Sequence, residues 1–180
     1  MITIKQSFFL FLAIAIAYSC HKDKVDNSIW EYSGTGDGNI DTTKKATINY
    51  KIASNLNVTG FAILKENSGV NHDLNLNQSG KVVILTSKTT DTVYIDGNSN
   101  IDDTLLIQRG VLKVGHDLNI NSKGVVNCSN DAKVIVMGSL NQSGTLWGLS
   151  HFTIYKSTNI NNEQTTYDWP IPFYSTSKNY

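Results

Sequence analysis

Between residues 96 and 103 the chain reads Asp-Gly-Asn-Ser-Asn-Ile-Asp-Asp, which puts an oxygen-bearing side chain at every second position: Asp96, Asn98, Asn100 and Asp102. Calcium loops use that spacing, because a hard cation collects about six to eight oxygen ligands from side chains and carbonyls. These four residues are the candidate metal ligands, and calcium is the candidate cofactor. The segment departs from an EF-hand in two places. Ile101 stands where the turn glycine belongs, and Ile107 stands where the bidentate glutamate belongs. A polar turn rich in Asn and Asp, which tolerate turn conformations, is the competing reading. Asp91, Asp96, Asp102, Asp103 and Arg109 form the one neighbourhood dense enough in charge for acid-base chemistry on a sugar. The chain contains no G-x-S-x-G, HExxH, CxxC or P-loop, so no catalytic residue is assigned.

The elements that must carry these residues are visible in a repeat. Val70-Asn71-His72-Asp73-Leu74-Asn75-Leu76-Asn77 returns 44 residues later as Val114-Gly115-His116-Asp117-Leu118-Asn119-Ile120-Asn121. A weaker copy with Val136, Gly138, Leu140 and Asn141 follows at half that offset, so the period is near 22 residues. Between the first two copies, Thr92 to Asn98 keeps the apolar and turn character without the motif. Apolar and polar residues alternate within each copy, the mark of a strand with one buried face. The runs close on Gln78-Ser79-Gly80, Ser122-Lys123-Gly124 and Gln142-Ser143-Gly144. No 3.6-residue periodicity persists beyond the N-terminal segment.

Short alternating strands fit an antiparallel β-sandwich or a stack of parallel coils. Recurrence of like residues at one coil length favours the stack, where Leu lies over Ile in the core and Asn over Asn in the turn. The predicted fold is therefore all-β, a short right-handed parallel β-helix with coils of about 22 residues. The sandwich is the alternative. In such a stack His72 and His116 lie two coils, about 9.6 Å, apart. Zinc, with bonds of about 2.1 Å, does not bridge that gap unless both side chains lean together, so they read as turn histidines. The alternation with glycine in Gly110-Val111-Leu112-Lys113-Val114-Gly115-His116-Asp117-Leu118-Asn119-Ile120 resembles the loose repeats of bacterial surface β-helices of the filamentous-haemagglutinin and autotransporter adhesin type, over roughly residues 55 to 160. That resemblance implies a surface-exposed solenoid and supplies no catalytic residue.

A solenoid must cover its open ends. Trp30, Tyr32 and Tyr50 are the candidates at the front, and Trp169-Pro170-Ile171-Pro172-Phe173-Tyr174 at the back, where proline blocks further strand pairing.

The start of the 180-residue chain carries a different signal. Lys5 precedes an apolar run from Phe8 to Ala17, and His21-Lys22-Asp23-Lys24 follows at once. The run is too short for a membrane span, which takes roughly 20 apolar residues, and reads as the core of a secretion signal. Ala17-Tyr18-Ser19-Cys20 resembles the bacterial lipobox, in which the cysteine is acylated and becomes the first residue of the mature protein. Tyr18 is bulky for its position and Ala17 replaces the commoner leucine. Ala15-Ile16-Ala17 also satisfies the A-x-A rule, and cleavage there would release a soluble protein, secreted or periplasmic. Cys20 and Cys128 are the only cysteines. Acylation of Cys20 leaves Cys128 to be a small buried hydrophobe.

The expected layout is a signal peptide over 1–19, a lipid-attachment residue, polar tether and cap over 20–44, a β-helical repeat over 45–165 and a C-terminal cap over 166–180. Lys+Arg and Asp+Glu are both 15, which gives no electrostatic basis for binding nucleic acid. The expectation is a lipid-anchored protein of the cell envelope, of the outer membrane in particular. Its body is a non-catalytic structural or binding module, contacting a glycan or a surface protein. A polysaccharide lyase or hydrolase built on the Asp96–Asp103 patch is the alternative, and Trp147, Tyr155, Trp169 and Tyr174 are candidate stacking aromatics.

Overall fold

The computed structural model describes residues 37–161 and the backbone of Thr166–Tyr167. Every strand pair in it is parallel, which sets aside the antiparallel sandwich. Three strands make one coil. The first coil contains β1 (Gly38–Ile40), β2 (Lys45–Ile48) and β3 (Lys51–Ile52), and the second β4 (Leu56–Val58), β5 (Phe61–Leu64) and β6 (Gly69–Val70). The third contains β7 (Leu74–Leu76), β8 (Lys81–Leu85) and β9 (Thr92–Ile95). In the fourth, β10 (Ser99–Ile101) is followed by β11 (Thr104–Val114), which runs through two faces without a break. The fifth comprises β12 (Leu118–Ile120), β13 (Val125–Cys128) and β14 (Ala132–Val136). The sixth comprises β15 (Leu140–Gln142), β16 (Thr145–Trp147) and β17 (Phe152–Ile154), with a 3-10 turn at Leu149–His151, and β18 (Thr158–Ile160) and β19 (Thr166–Tyr167) begin another.

Stacking these coils generates three parallel sheets around one core. Sheet A is the seven-stranded series β1-β4-β7-β10-β12-β15-β18. Sheet B runs β2-β5-β8-β11-β13-β16-β19, and sheet C runs β3-β6-β9-β11-β14-β17, the two being joined through β11. At about 4.8 Å per coil, six steps make a rod of about 29 Å.

Among the described residues strand pairing begins at Gly38, inside the segment expected to be tether and cap, and reaches Thr166–Tyr167, just inside the expected C-terminal cap. The 44-residue recurrence is two coils, one of 25 residues and one of 19. Elsewhere the coils take 18 or 22 residues. Variation is confined to the corners. The segment Thr86 to Asp91 lengthens the corner between sheets B and C in the third coil, while the register of the strands on either side is kept.

The core consists of stacked columns. On the inner side of sheet A one column is Gly38, Leu56, Leu74, Ser99, Leu118 and Leu140, and the next is Ile40, Val58, Leu76, Ile101, Ile120 and Gln142. All are buried. Sheet B contributes Ile48, Leu64, Ile84, Ile107 and Cys128 at equivalent positions, and sheet C contributes Ile52, Val70, Ile95, Val114 and Val136. Burying aliphatic side chains at about 1.5 to 3 kcal/mol each is the main stabilising term, since a single coil has no core of its own. Cys128 is one of these core residues, and burial pushes its thiol up to about 12. Tyr50, between β2 and β3, is partly buried and packs against the core.

Candidate binding face

Each strand of sheet A has three residues. In a strand the outer two then point one way and the middle one the other. From β1 to β15 the flanking positions are buried and mostly aliphatic, so the central residue faces out. It is asparagine in all seven strands: Asn39, Asn57, Asn75, Asn100, Asn119, Asn141 and Asn159. Asn57 Nδ2 donates to Asn39 Oδ1 at 3.0 Å, Asn75 to Asn57 at 2.9 Å and Asn100 to Asn75 at 2.9 Å. Asn119 donates to Asn100 at 2.8 Å, Asn141 to Asn119 at 2.8 Å and Asn159 to Asn141 at 2.7 Å. The Asn-over-Asn stack expected in the turn thus lies at the centre of a strand. All six bonds point the same way along the rod, so each amide polarises the next.

A side-chain amide has two N–H donors and an oxygen with two lone pairs. Within the ladder an interior Asn uses one of each and is half-buried. The second N–H and the second lone pair remain, presented outward about every 4.8 Å.

The positions just before the strands form a second column: Asp37, Asn55, Asp73, Asn98, Asp117, Ser139 and Ser157. Their side-chain oxygens accept from the coil that follows. Asp73 N–H donates to Asn55 Oδ1 at 3.0 Å, Asn98 N–H to Asp73 Oδ1 at 2.7 Å, Asp117 N–H to Asn98 Oδ1 at 3.1 Å and Ser139 N–H to Asp117 Oδ1 at 2.7 Å. Asp37 Oδ1 accepts from Ser54 Oγ at 2.8 Å and from Asn55 N–H at 3.2 Å, and these bonds hold its carboxyl below the usual range. The positions just after the strands form the third column: Asp41, Thr59, Asn77, Asp102, Asn121, Ser143 and Asn161. Here Asn121 Nδ2 donates to Asp102 Oδ1 at 2.8 Å. The whole face is therefore Asp, Asn, Ser and Thr, with no Lys, Arg or aromatic residue in any of the three columns.

The four residues expected to share a calcium ion, Asp96, Asn98, Asn100 and Asp102, fall along this face and the corner before it. Asn98 and Asn100 are alternate residues of the extended stretch that enters β10, about 6.6 Å apart, and Asp96 and Asp102 sit at the bends before and after it. Asn98, Asn100 and Asp102 each bond a different residue of the adjacent coils. Among the described residues, no three His, Cys, Asp or Glu side chains form a metal-binding group.

His72 and His116 are exposed at the corner between sheets C and A, with Gly97 stacked between them and Gly138 beyond. A Cβ on Gly97 would lie 2.8 Å from the His72 carbonyl oxygen, and one on Gly138 would lie 2.5 Å from that of His116. In the repeated His-Asp pair it is the aspartate side chain that accepts from the next coil.

The acidic patch is divided among three corners. Asp91 and Arg109 stand between sheets B and C, Asp96 between C and A, and Asp102 and Asp103 between A and B. Asp91 Oδ2 accepts from Lys88 N–H, and Asp103 Oδ2 accepts from Ser79 N–H, both at 2.9 Å. Trp147 is half-buried on sheet B, and Tyr155 is exposed beyond the end of β17. Cys20, the rest of the export signal, Trp30, Tyr32, Trp169 and Tyr174 lie outside the described residues.

The sequence pointed to an Asn-over-Asn stack in the turn but not to an asparagine at the centre of every sheet A strand. The signal was an apolar-Asn-apolar triplet in several coils, concealed where Ser99 replaces leucine and Gln142 replaces isoleucine. No family model, curated protein or solved structure matches the chain. Among the described residues, no helix is long and apolar enough to cross a membrane.

Proposed function

We propose that the protein is a cell-envelope lipoprotein, anchored through Cys20, whose β-solenoid is a non-catalytic module binding an uncharged glycan on sheet A. The asparagine ladder carries this reading. Sugar hydroxyls both donate and accept, and the outward half of each Asn amide offers one donor and one acceptor. The row repeats at the coil spacing, which suits a ligand that is itself a linear repeat.

The composition of the face separates this ligand from other classes. A protein partner is ordinarily held by aromatic and arginine anchors, and a phosphate backbone by Lys and Arg. Sheet A has neither. Without an aromatic to stack on a sugar ring, each contact is weak, and useful affinity comes from many contacts in parallel along a polymer. The separation of Asp91, Asp96, Asp102 and Asp103 among three corners favours binding over hydrolysis, because glycosidases set two carboxyls about 5 to 9.5 Å apart around one bond.

A panel of polysaccharides tested for both retention and product release examines this reading. Retention without shortened product supports it, and release of oligosaccharides contradicts it. Intact mass of the mature protein examines the anchor, which a start at Tyr18 without acyl mass would rule out.

A further inference from the structure

The outer face of sheet B differs from that of sheet A. Pairing stacks Thr47, Ile63, Val83, Leu106, Asn127 and Trp147 in one outward column, beside Phe61 and Val125 in the next. Val83 lies between the inward Val82 and Ile84, and Leu106 between the inward Leu105 and Ile107, so both point away from the core. They are nevertheless only 5% and 4% exposed, where outward residues of neighbouring strands such as Ile63 and Val125 are half-buried. Burial also lowers the pKa of Lys81 on this face. Lys81, Asn127 and Trp147, in three different coils of this face, are each engaged in an interaction.

We infer that this face is a docking surface for the chain's own C-terminal segment, Trp169-Pro170-Ile171-Pro172-Phe173-Tyr174, which lies along sheet B as a strap. Two observations choose that occupant. The last described strand, β19, belongs to sheet B and pairs with β16 at Trp147, so the segment that follows starts beside this column. The residues from 168 to 180 span up to about 43 Å when extended, more than the length of the rod. Pro170 and Pro172 lack an N–H and do not extend a central strand, whereas Trp169, Ile171 and Phe173 supply the apolar side chains that Val83 and Leu106 require. A strap on sheet B covers the face most prone to self-association and leaves sheet A open.

Thiol labelling tests the strap in the full chain with Cys20→Ser and Val83→Cys. Cys128 is buried and serves as the internal control for an intact core. The expected result is slow labelling at position 83. Adding Trp169→Ala and Phe173→Ala then accelerates it at least tenfold while Cys128 stays unreactive. Should the double change expose Cys128, Phe173→Ala alone carries the test with the same expected direction. Labelling at position 83 as fast as at an exposed Tyr155→Cys contradicts the proposal, because the face is then bare. Slow labelling that the tail substitutions leave unchanged also contradicts it, because another segment or partner then covers the face.

Discussion

Asn100 donates its side-chain N–H to Asn75 at 2.9 Å across a coil of 25 residues, and Asn57 makes the corresponding bond to Asn39 at 3.0 Å across a coil of 18. The corner insertion has no effect on the rung. Register in a parallel stack is fixed by the strands, and the corners absorb the difference in length.

That arrangement makes interior rungs cost more than end rungs. Asn100→Ala removes two ladder bonds and leaves Asn75 Oδ1 and Asn119 Nδ2 to solvent, for an expected loss of about 1 to 2 kcal/mol. Asn159→Ala removes the bond to Asn141 and is expected to cost about half as much. Asn100→Asp is expected to be worse than Asn100→Ala near neutral pH, since a carboxylate has no proton to donate to Asn75 Oδ1. Urea titration of the three variants checks the order.

Ser99 occupies the leucine column of sheet A with its hydroxyl fully buried and without a hydrogen-bond partner among the described residues. Desolvating that group without compensation costs free energy, and methyl-sized alanine fills nearly the same space. Ser99→Ala is expected to raise stability by about 1 kcal/mol, read as an increase in Tm. A fall in Tm would mean that the hydroxyl is satisfied.

At the corner between sheets B and C, Gly110 has φ +103 and lies against Thr86, whose buried hydroxyl shares its one proton between the carbonyls of Lys88 at 2.7 Å and Arg109 at 3.1 Å. A Cβ there would come within 2.3 Å of Thr86 Oγ1. Gly110→Ala therefore combines left-handed strain with displacement of Thr86, and an expected loss of about 2 to 4 kcal/mol follows. Gly69, whose added Cβ would meet nothing nearer than 3.1 Å, is the matched comparison and is expected to lose less.

Acid weakens the first coil. The Thr43 hydroxyl at 2.6 Å, then Lys44 and the Thr43 N–H, hold the Asp41 carboxyl at about 2, below its ordinary value of 3.8. A group with a depressed folded pKa stabilises the fold above its unfolded pKa and loses that contribution as pH falls through the folded one. Asp37 shifts in the same direction. Tm is therefore expected to fall between about pH 4 and pH 2, and Asp41→Asn is expected to flatten that part of the profile.

The alternation of apolar and polar residues made the parallel solenoid legible, because a two-residue period with recurring like residues has few other solutions. Exact coil lengths were not legible. The recurrence of His72 at His116 spans coils of 25 and 19 residues, and corner insertions such as Thr86 to Asp91 leave no mark on strand periodicity. Local spacing around Asp96 also carries no information on partners, and Asn98, Asn100 and Asp102 each bond a residue of another coil. The binding face was hidden because Asn39 to Asn159 are far apart in sequence and come together only when the register is known.

If the Asn face of sheet A is the ligand surface, NMR of the side-chain amides will register the ligand there. Labelled protein is titrated with a polysaccharide that it retains. The largest shifts are expected on the NH2 groups of Asn57, Asn75, Asn100, Asn119 and Asn141, without product release. Shifts concentrated on sheet B or sheet C, with the asparagine amides unmoved, would contradict that assignment.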